Sequence, residues 1–137
     1  MVATGIEDVL VLGARLLFGG VIAFMGVNHF LQLEQLIGYA QFKGLPAPKL
    51  SVVASGAVLV LGGLGIVLGA FPLVSALAVA GFLVVSALMM HDFWAVEEDQ
   101  QQDEMTAFLK NVVMAGGALS IAALSTQTWA FSVGLGL

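Results

Sequence analysis

The chain is expected to be all-α and membrane-embedded, an up-down bundle of four transmembrane helices with a short amphipathic segment at the interface between the first and second. Three observations lead there. Of 137 residues, 60% are hydrophobic and only 9% charged, with a mean hydropathy of +1.05. A soluble domain carries roughly a quarter of its residues as charges to cover its surface, so the outside of this chain has to face lipid. Four apolar segments each approach the roughly twenty residues that cross a bilayer core at about 1.5 Å per residue. The connections between them are short or interfacial, which makes consecutive helices antiparallel neighbours.

The first span is expected over about residues 9–30. The acidic stretch before it, Met1 to Asp8, has no basic run, so this span reads as retained and not as a cleaved signal. Arg15 lies inside it and is the costliest residue to insert, at about 2.5–3.5 kcal/mol near a helix centre. Two roles compete for it: an anchor that snorkels to the headgroups, or an interior polar site. The stripe Arg15, Gly19, Ile22, Gly26, His29 falls on one helix face, where its two glycines admit a close neighbour and turn Arg15 toward protein.

After Asn28-His29-Phe30, the stretch Leu31 to Lys43 mixes Leu33, Leu36, Ile37 and Phe42 with Gln32, Glu34, Gln35 and Gln41. It is too short and polar to span, and is expected to lie in the interface. Gly44, Pro46 and Pro48 break it. The second span, about residues 50–68, carries small residues at four-three spacing, Ser51, Ser55, Gly62, Gly65 and Gly69, the signature of a central packing helix. A tight turn at Gly69-Ala70-Phe71-Pro72 leads into the third span, about residues 73–90, which ends in His91-Asp92-Phe93-Trp94. The acidic run Glu97, Glu98, Asp99, Asp103, Glu104 is expected as a solvated loop. The fourth span, about residues 108–126, has a packing stripe Asn111, Ala115, Ala118, Ala122, Ser125 and a small pair Gly116/Ser120. The tail with Trp129 and Phe131 is expected at the interface.

Up-down order brings the ends of the first and third spans and the starts of the second and fourth to one membrane face. Asn28, His29, His91, Asp92, Trp94, Lys110 and Asn111 then form one polar cluster, fit to bind and protonate a polar headgroup: an imidazole is suited to proton transfer, Asp92 can stabilise an imidazolium, and Lys110 and Asn111 can donate to carbonyl oxygens. Arg15 is a second polar site toward the opposite face. No metal-ligand spacing, phosphate loop or nucleophile elbow is present in the sequence. The absence of cysteine removes thiol, Fe–S and zinc-thiolate chemistry, and there is no basic footprint for nucleic acid. Lys43, Lys49 and Lys110 on the cluster face against Arg15 on the other put that face in the cytoplasm by the positive-inside rule.

The chain resembles the DoxX family of small four-helix membrane proteins. The residues that carry the resemblance are Gly13-Ala14-Arg15-Leu16-Leu17-Phe18-Gly19-Gly20, Gly26-Val27-Asn28-His29-Phe30, Gly44-Leu45-Pro46-Ala47-Pro48, Leu61-Gly62-Gly63-Leu64-Gly65, His91-Asp92-Phe93-Trp94 and Phe108-Leu109-Lys110-Asn111. The pattern runs through almost the whole chain and implies one domain over residues 1–137. It departs from many relatives in having no acid between Ser55 and Leu61, and a histidine at His29 in place of lysine.

The resemblance implies an accessory or quinone-interacting subunit of a membrane oxidoreductase, similar to the membrane subunit of thiosulfate:quinone oxidoreductase. It would be a multi-pass protein of the cell membrane, with quinone as ligand and a soluble redox protein as partner. Two other readings stand beside it: a non-catalytic scaffold or lipid-binding protein whose polar cluster closes one end of the bundle, and, ranked last, a small transporter that would have to oligomerise. Small-residue stripes serve the internal bundle or a symmetric homo-oligomer equally well. Haem between the two histidines is not favoured, because interfacial histidines satisfied by protein partners are much commoner than axial ligands.

Overall fold

The computed structural model describes residues 5–136; Met1 to Thr4 and Leu137, and with them the first half of the acidic N-terminus and the last residue of the tail, lie outside the described residues. Among the described residues five helices follow one another: α1 (Ile6–Leu31), α2 (Leu33–Phe42), α3 (Pro48–Leu68), α4 (Pro72–Met90) and α5 (Glu98–Leu124). All but α2 are long and apolar enough to cross a membrane. A 3₁₀ turn, Phe93–Ala95, joins α4 to α5. Pro48 and Pro72 each open a helix, where their fixed φ fits and no amide hydrogen is needed. The expected architecture is therefore the one found, including the amphipathic α2 between the first two spans.

The largest departure is at α5. It begins at Glu98, ten residues before the expected start, so the acidic run is the helix's first turns and not a loop. Glu98 and Asp99 lie in the first turn, where carboxylates complement the helix dipole, and the glutamines, Met105 and Ala107 that follow are good helix formers. Charge marks where this helix leaves the apolar layer; it does not mark where the helix ends.

Within the bundle α3 is central. It packs on α1 on one side and α4 on the other, while α4 packs on α5 and α2 lies against α3. Leu59, Ile66, Val79, Leu83 and Ala118 are fully enclosed at these seams. The α5 stripe Asn111, Ala115, Ala118, Ala122, Ser125 is buried throughout, as expected. Gly116 and Ser120 are instead exposed, with open space in front of Gly116, so that pair lies on the outer face of the bundle and packs against no helix among the described residues. Large apolar residues such as Leu17, Leu61 and Val113 cover the outside, the pattern expected of a bundle dissolved in hydrocarbon.

Apolar area gives no drive for helix association in lipid; close contact does. A Cβ at Gly63 would lie 2.5 Å from the Ala23 nitrogen and 2.6 Å from the Gly19 carbonyl, and one at Gly26 would lie 2.6 Å from the Val60 nitrogen. The backbones of α1 and α3 thus touch at two levels. Gly19 and Gly26 belong to the predicted α1 stripe. Gly63 lies one residue off the predicted α3 stripe, because α3 uses one glycine face for α1 and another, Gly62 and Gly65, for α4.

Arg15 resolves to the interior role. Its α-helical path widens into a π turn over Arg15–Gly19, and the side chain is only 1% exposed. The guanidinium donates to four carbonyls: Nε to Ile66 at 3.2 Å, Nη2 to Val67 at 2.6 Å and Phe131 at 3.0 Å, and Nη1 to Ala130 at 2.8 Å. It also lies 5.1 Å from the centre of the Trp129 ring. Ile66 and Val67 are in the last turn of α3, whose carbonyls have no helical donor left. A cation there meets the negative end of the helix dipole.

The same side chain pins the tail. Trp129 is buried with its Nε1 donating to the Leu124 carbonyl, the Phe71 amide donates to Leu135 at 2.6 Å, and the Val133 amide donates to Leu68 at 2.8 Å. The tail is therefore folded against the end of the bundle. Arg15→Leu is expected to cost about 3 kcal/mol or more, since several charge-assisted bonds go and buried carbonyls lose their donors. Arg15→Lys should recover less than half, because an ammonium cannot fork to four acceptors. Thermal unfolding in detergent and protease cleavage within the tail provide the two readouts.

Candidate functional site

At the opposite end of the bundle from Arg15, α1, α2, α3 and α4 separate around a cavity of about 460 Å³, with Asn111 of α5 at its base. Its wall is chiefly apolar: Met25, Leu36, Leu45, Val52, Phe82, Val85 and Met89. The polar groups on it are His29, Tyr39, Ser51, Ser55, Ser86, His91 and Asn111. The cavity exists because α2 does not span. It leaves α1 at Gln32, crosses the bundle end, and closes over the α1–α3–α4 junction with Leu36, Tyr39 and Ala40 turned inward at helical spacing.

Two polar clasps hold α2 down. Tyr39 Oη donates to Glu104 Oε1 at 2.9 Å, with the Met90 carbonyl at 3.2 Å. The other oxygen, Glu104 Oε2, is 3.0 Å from His91 Nδ1. One carboxylate thus joins α2, the end of α4 and α5. The second clasp is an ion pair, Lys43 Nζ to Asp92 Oδ1 at 2.6 Å, with the lysine side chain only 6% exposed. Lys43 and Asp92 also border a smaller cleft of about 360 Å³ outside the main cavity. Burial, then the bond to Glu104, then the charges of Glu104 and Asp92 push the Tyr39 hydroxyl well above the ordinary tyrosine range, so it stays a neutral donor at physiological pH.

His29 is held from its own helix. Its Nδ1 lies 2.9 Å from the Met25 carbonyl and its ring meets Phe82 edge-on at 6.1 Å between centroids. Asn111 is buried, and its Nδ2 donates to the Leu83 carbonyl at 3.3 Å, a bond that fixes which end of the amide is which.

Three of the seven residues expected to cluster, His29, His91 and Asn111, meet at this cavity. The other four do not. Asp92 is at the same end, but Lys43 engages it, so His91 takes Glu104 as its carboxylate in place of the adjacent acid. Asn28 accepts from Gln32 at the surface. Trp94 is exposed and packs on Phe93 and Phe108 at 5.2 and 5.8 Å, an interfacial belt position. Lys110 is exposed beside the buried Asn111: one residue along a helix is a 100° turn, which sends its ammonium to the outer face.

Tyr39, Lys43 and Glu104 are the functional candidates that sequence reasoning passed over. Glu104 was legible: stepping back seven residues from Asn111 along the α5 packing stripe reaches it, once the helix is allowed to begin in the acidic run. Tyr39 and Ala40 follow Leu36 on the inward face at spacings of three and four. The Lys43–Asp92 pair had no local signal, since it joins residues 49 apart.

Comparison with known proteins adds one finding. Residues 10–92, more than half of the chain, match the family model described as DoxX; the matched stretch takes in nearly all of α1 and runs through α4 to Asp92. No curated protein and no solved structure matches the chain.

Tyr39 is the only tyrosine in the sequence, so tyrosinate absorbance reports it alone. Its titration in the folded protein is expected to have a midpoint clearly above the ordinary 10.0. Glu104→Gln should bring that midpoint down only part of the way, because burial is the larger cause. With the folded pKa raised, the stabilisation from the neutral phenol is complete below the ordinary value and is lost as pH rises through the folded one. Unfolding free energy should therefore hold through neutral pH and fall on the alkaline side.

Proposed function

The chain belongs to the DoxX family, and from that premise we propose that it is a quinone-interacting accessory subunit of a membrane oxidoreductase system of the thiosulfate:quinone oxidoreductase kind, resident in the cell membrane and working with a soluble redox partner. The observation that carries this reading is the cavity. A largely apolar space of about 460 Å³ with a few convergent polar groups is the form small-molecule sites take. It lies at one end of a membrane bundle, where a lipid-soluble ligand can place a polar ring at the interface and its tail in hydrocarbon. Met25, Phe82 and Met89 offer faces and edges to a flat ring, while His29 and His91 approach its oxygens.

Interconversion of a quinone and its quinol moves two protons with two electrons. The electrons pass to or from the partner, because a chain without cysteine supplies no thiol or iron–sulfur carrier. The chain's own part is the protons. His91 stands between the cavity and the Glu104 carboxylate. A proton taken up at Nε2 is matched by one given from Nδ1 to Glu104, and α5 carries that acid within two turns of the solvated Glu97, Glu98 and Asp99. Tyr39 holds the carboxylate's second oxygen, so the acid is positioned before the ligand arrives.

In purified protein, a short-chain ubiquinone analogue, supplied in its reduced form, is expected to raise the unfolding temperature. His91→Leu should abolish that protection while leaving a folded bundle, and Lys110→Gln, on the outer face, should leave it intact. Protection that persists unchanged in the His91 variant would point instead to a scaffold or general lipid-binding role.

A further inference from the structure

The hydrogen-bonding sense of the cavity is specific enough to name which form of ligand it takes, an inference that rests on the quinone-site reading above. Each imidazole at the cavity has its Nδ1 against an oxygen that accepts. For His29 that is the Met25 carbonyl at 2.9 Å; for His91 it is Glu104 Oε2 at 3.0 Å, on a carboxylate whose other oxygen already takes the Tyr39 hydrogen. The hydrogen of each neutral ring therefore sits on Nδ1, and Nε2 presents a lone pair.

Neither Nε2 has a partner among the described residues. Because no buried side-chain nitrogen or oxygen among those residues lacks a partner, both Nε2 atoms keep accessible surface, and both rings line the cavity. The same accounting applies to the hydroxyls. Tyr39 gives its hydrogen to Glu104, Ser51 gives its own to the Pro46 carbonyl at 2.7 Å, and Ser55 gives its own to the Val52 carbonyl at 2.9 Å. Asn111 has one amide hydrogen on Leu83, leaving Oδ1 and one hydrogen. Of the hydroxyls lining the cavity, only that of Ser86 has no bond among the described residues.

The cavity is thus rich in acceptors and poor in donors. We infer that its ligand is the dihydroxy-aromatic, reduced form, a quinol, whose two O–H groups donate to His29 Nε2 and His91 Nε2, and that it discriminates against the oxidised quinone. A quinone brings only carbonyl lone pairs. Set against two imidazole lone pairs it would leave four acceptors facing one another, and a site built to pair a hydroxyl rejects the analogue lacking it. The preference arises where the two rings are fixed by Met25 and Glu104.

The test compares three short-chain ligands with the same ring under argon: the quinone, the quinol, and the quinol dimethyl ether, which keeps the shape without the O–H groups. Thermal protection of the purified protein is followed as each is titrated. The quinol should protect at concentrations about tenfold or more below the quinone, and the ether should protect no better than the quinone. Equal or tighter binding of the quinone, or an ether that matches the quinol, would overturn the inference while leaving the cavity a quinone-type site. If none of the three protects, the site reading fails and the inference with it. In His29→Leu the ratio of protecting concentrations, quinone over quinol, should shrink by about tenfold; an undiminished ratio also overturns it.

Discussion

The Glu104 carboxylate is the constraint on which the working end of this protein depends. Near lipid, an acid without donors is neutralised or expelled. Glu104 is kept by the Tyr39 hydroxyl on one oxygen and the His91 ring on the other. Those two bonds fix three things together: the position of α2 across the bundle end, the point at which α4 stops, and the face that α5 turns inward. They also set the orientation of the His91 ring, which lines the cavity. The Lys43–Asp92 pair holds the far end of α2 in the same way. What makes a roofed cavity out of a short amphipathic helix is this pair of clasps, since α2 lacks the apolar length to hold itself in the membrane.

The two ends of the bundle handle charge by opposite means. At one end a cation, Arg15, gathers carbonyls left over at the end of α3 and in the tail. At the other an anion gathers donors. Between them α1 and α3 are in backbone contact through Gly19, Gly26 and Gly63, which leaves no room for a polar path along that seam. The result is a closed, packed half and an open half. A main cavity at one end of the bundle suits a ligand that enters from one leaflet better than a solute that crosses the membrane.

Much of this was legible in the sequence. Hydropathy and length located all four spans, and small residues at four-three spacing picked out the buried face of α5 and the α1 face carrying Arg15. What was misread has a common physical cause. In a soluble protein a run of acids followed by an apolar segment marks a loop and then a helix; here it marks the point where one continuous helix leaves lipid, so Glu104 was read as solvent. Lys110 was read by depth, which is right, and not by angle, which decides whether a side chain meets its neighbours. Adjacency in sequence suggests Asp92 as the partner of His91, yet their hydrogen-bond partners come from the end of α2 and from α5. Contacts such as Lys43 with Asp92 depend on how α2 folds back over the bundle, which no local pattern encodes.

The account requires His91 to be a neutral ring with its proton on Nδ1, bonded to Glu104, and Nε2 unprotonated toward the cavity. Nitrogen-15 magnetic resonance of histidine-labelled protein, with His91 assigned by substitution, measures that directly. The predicted spectrum has the His91 proton on Nδ1 and a bare Nε2, and Glu104→Gln perturbs that signal while leaving His29 as it was. A His91 ring protonated at Nε2, or one indifferent to Glu104, would contradict the account at its base.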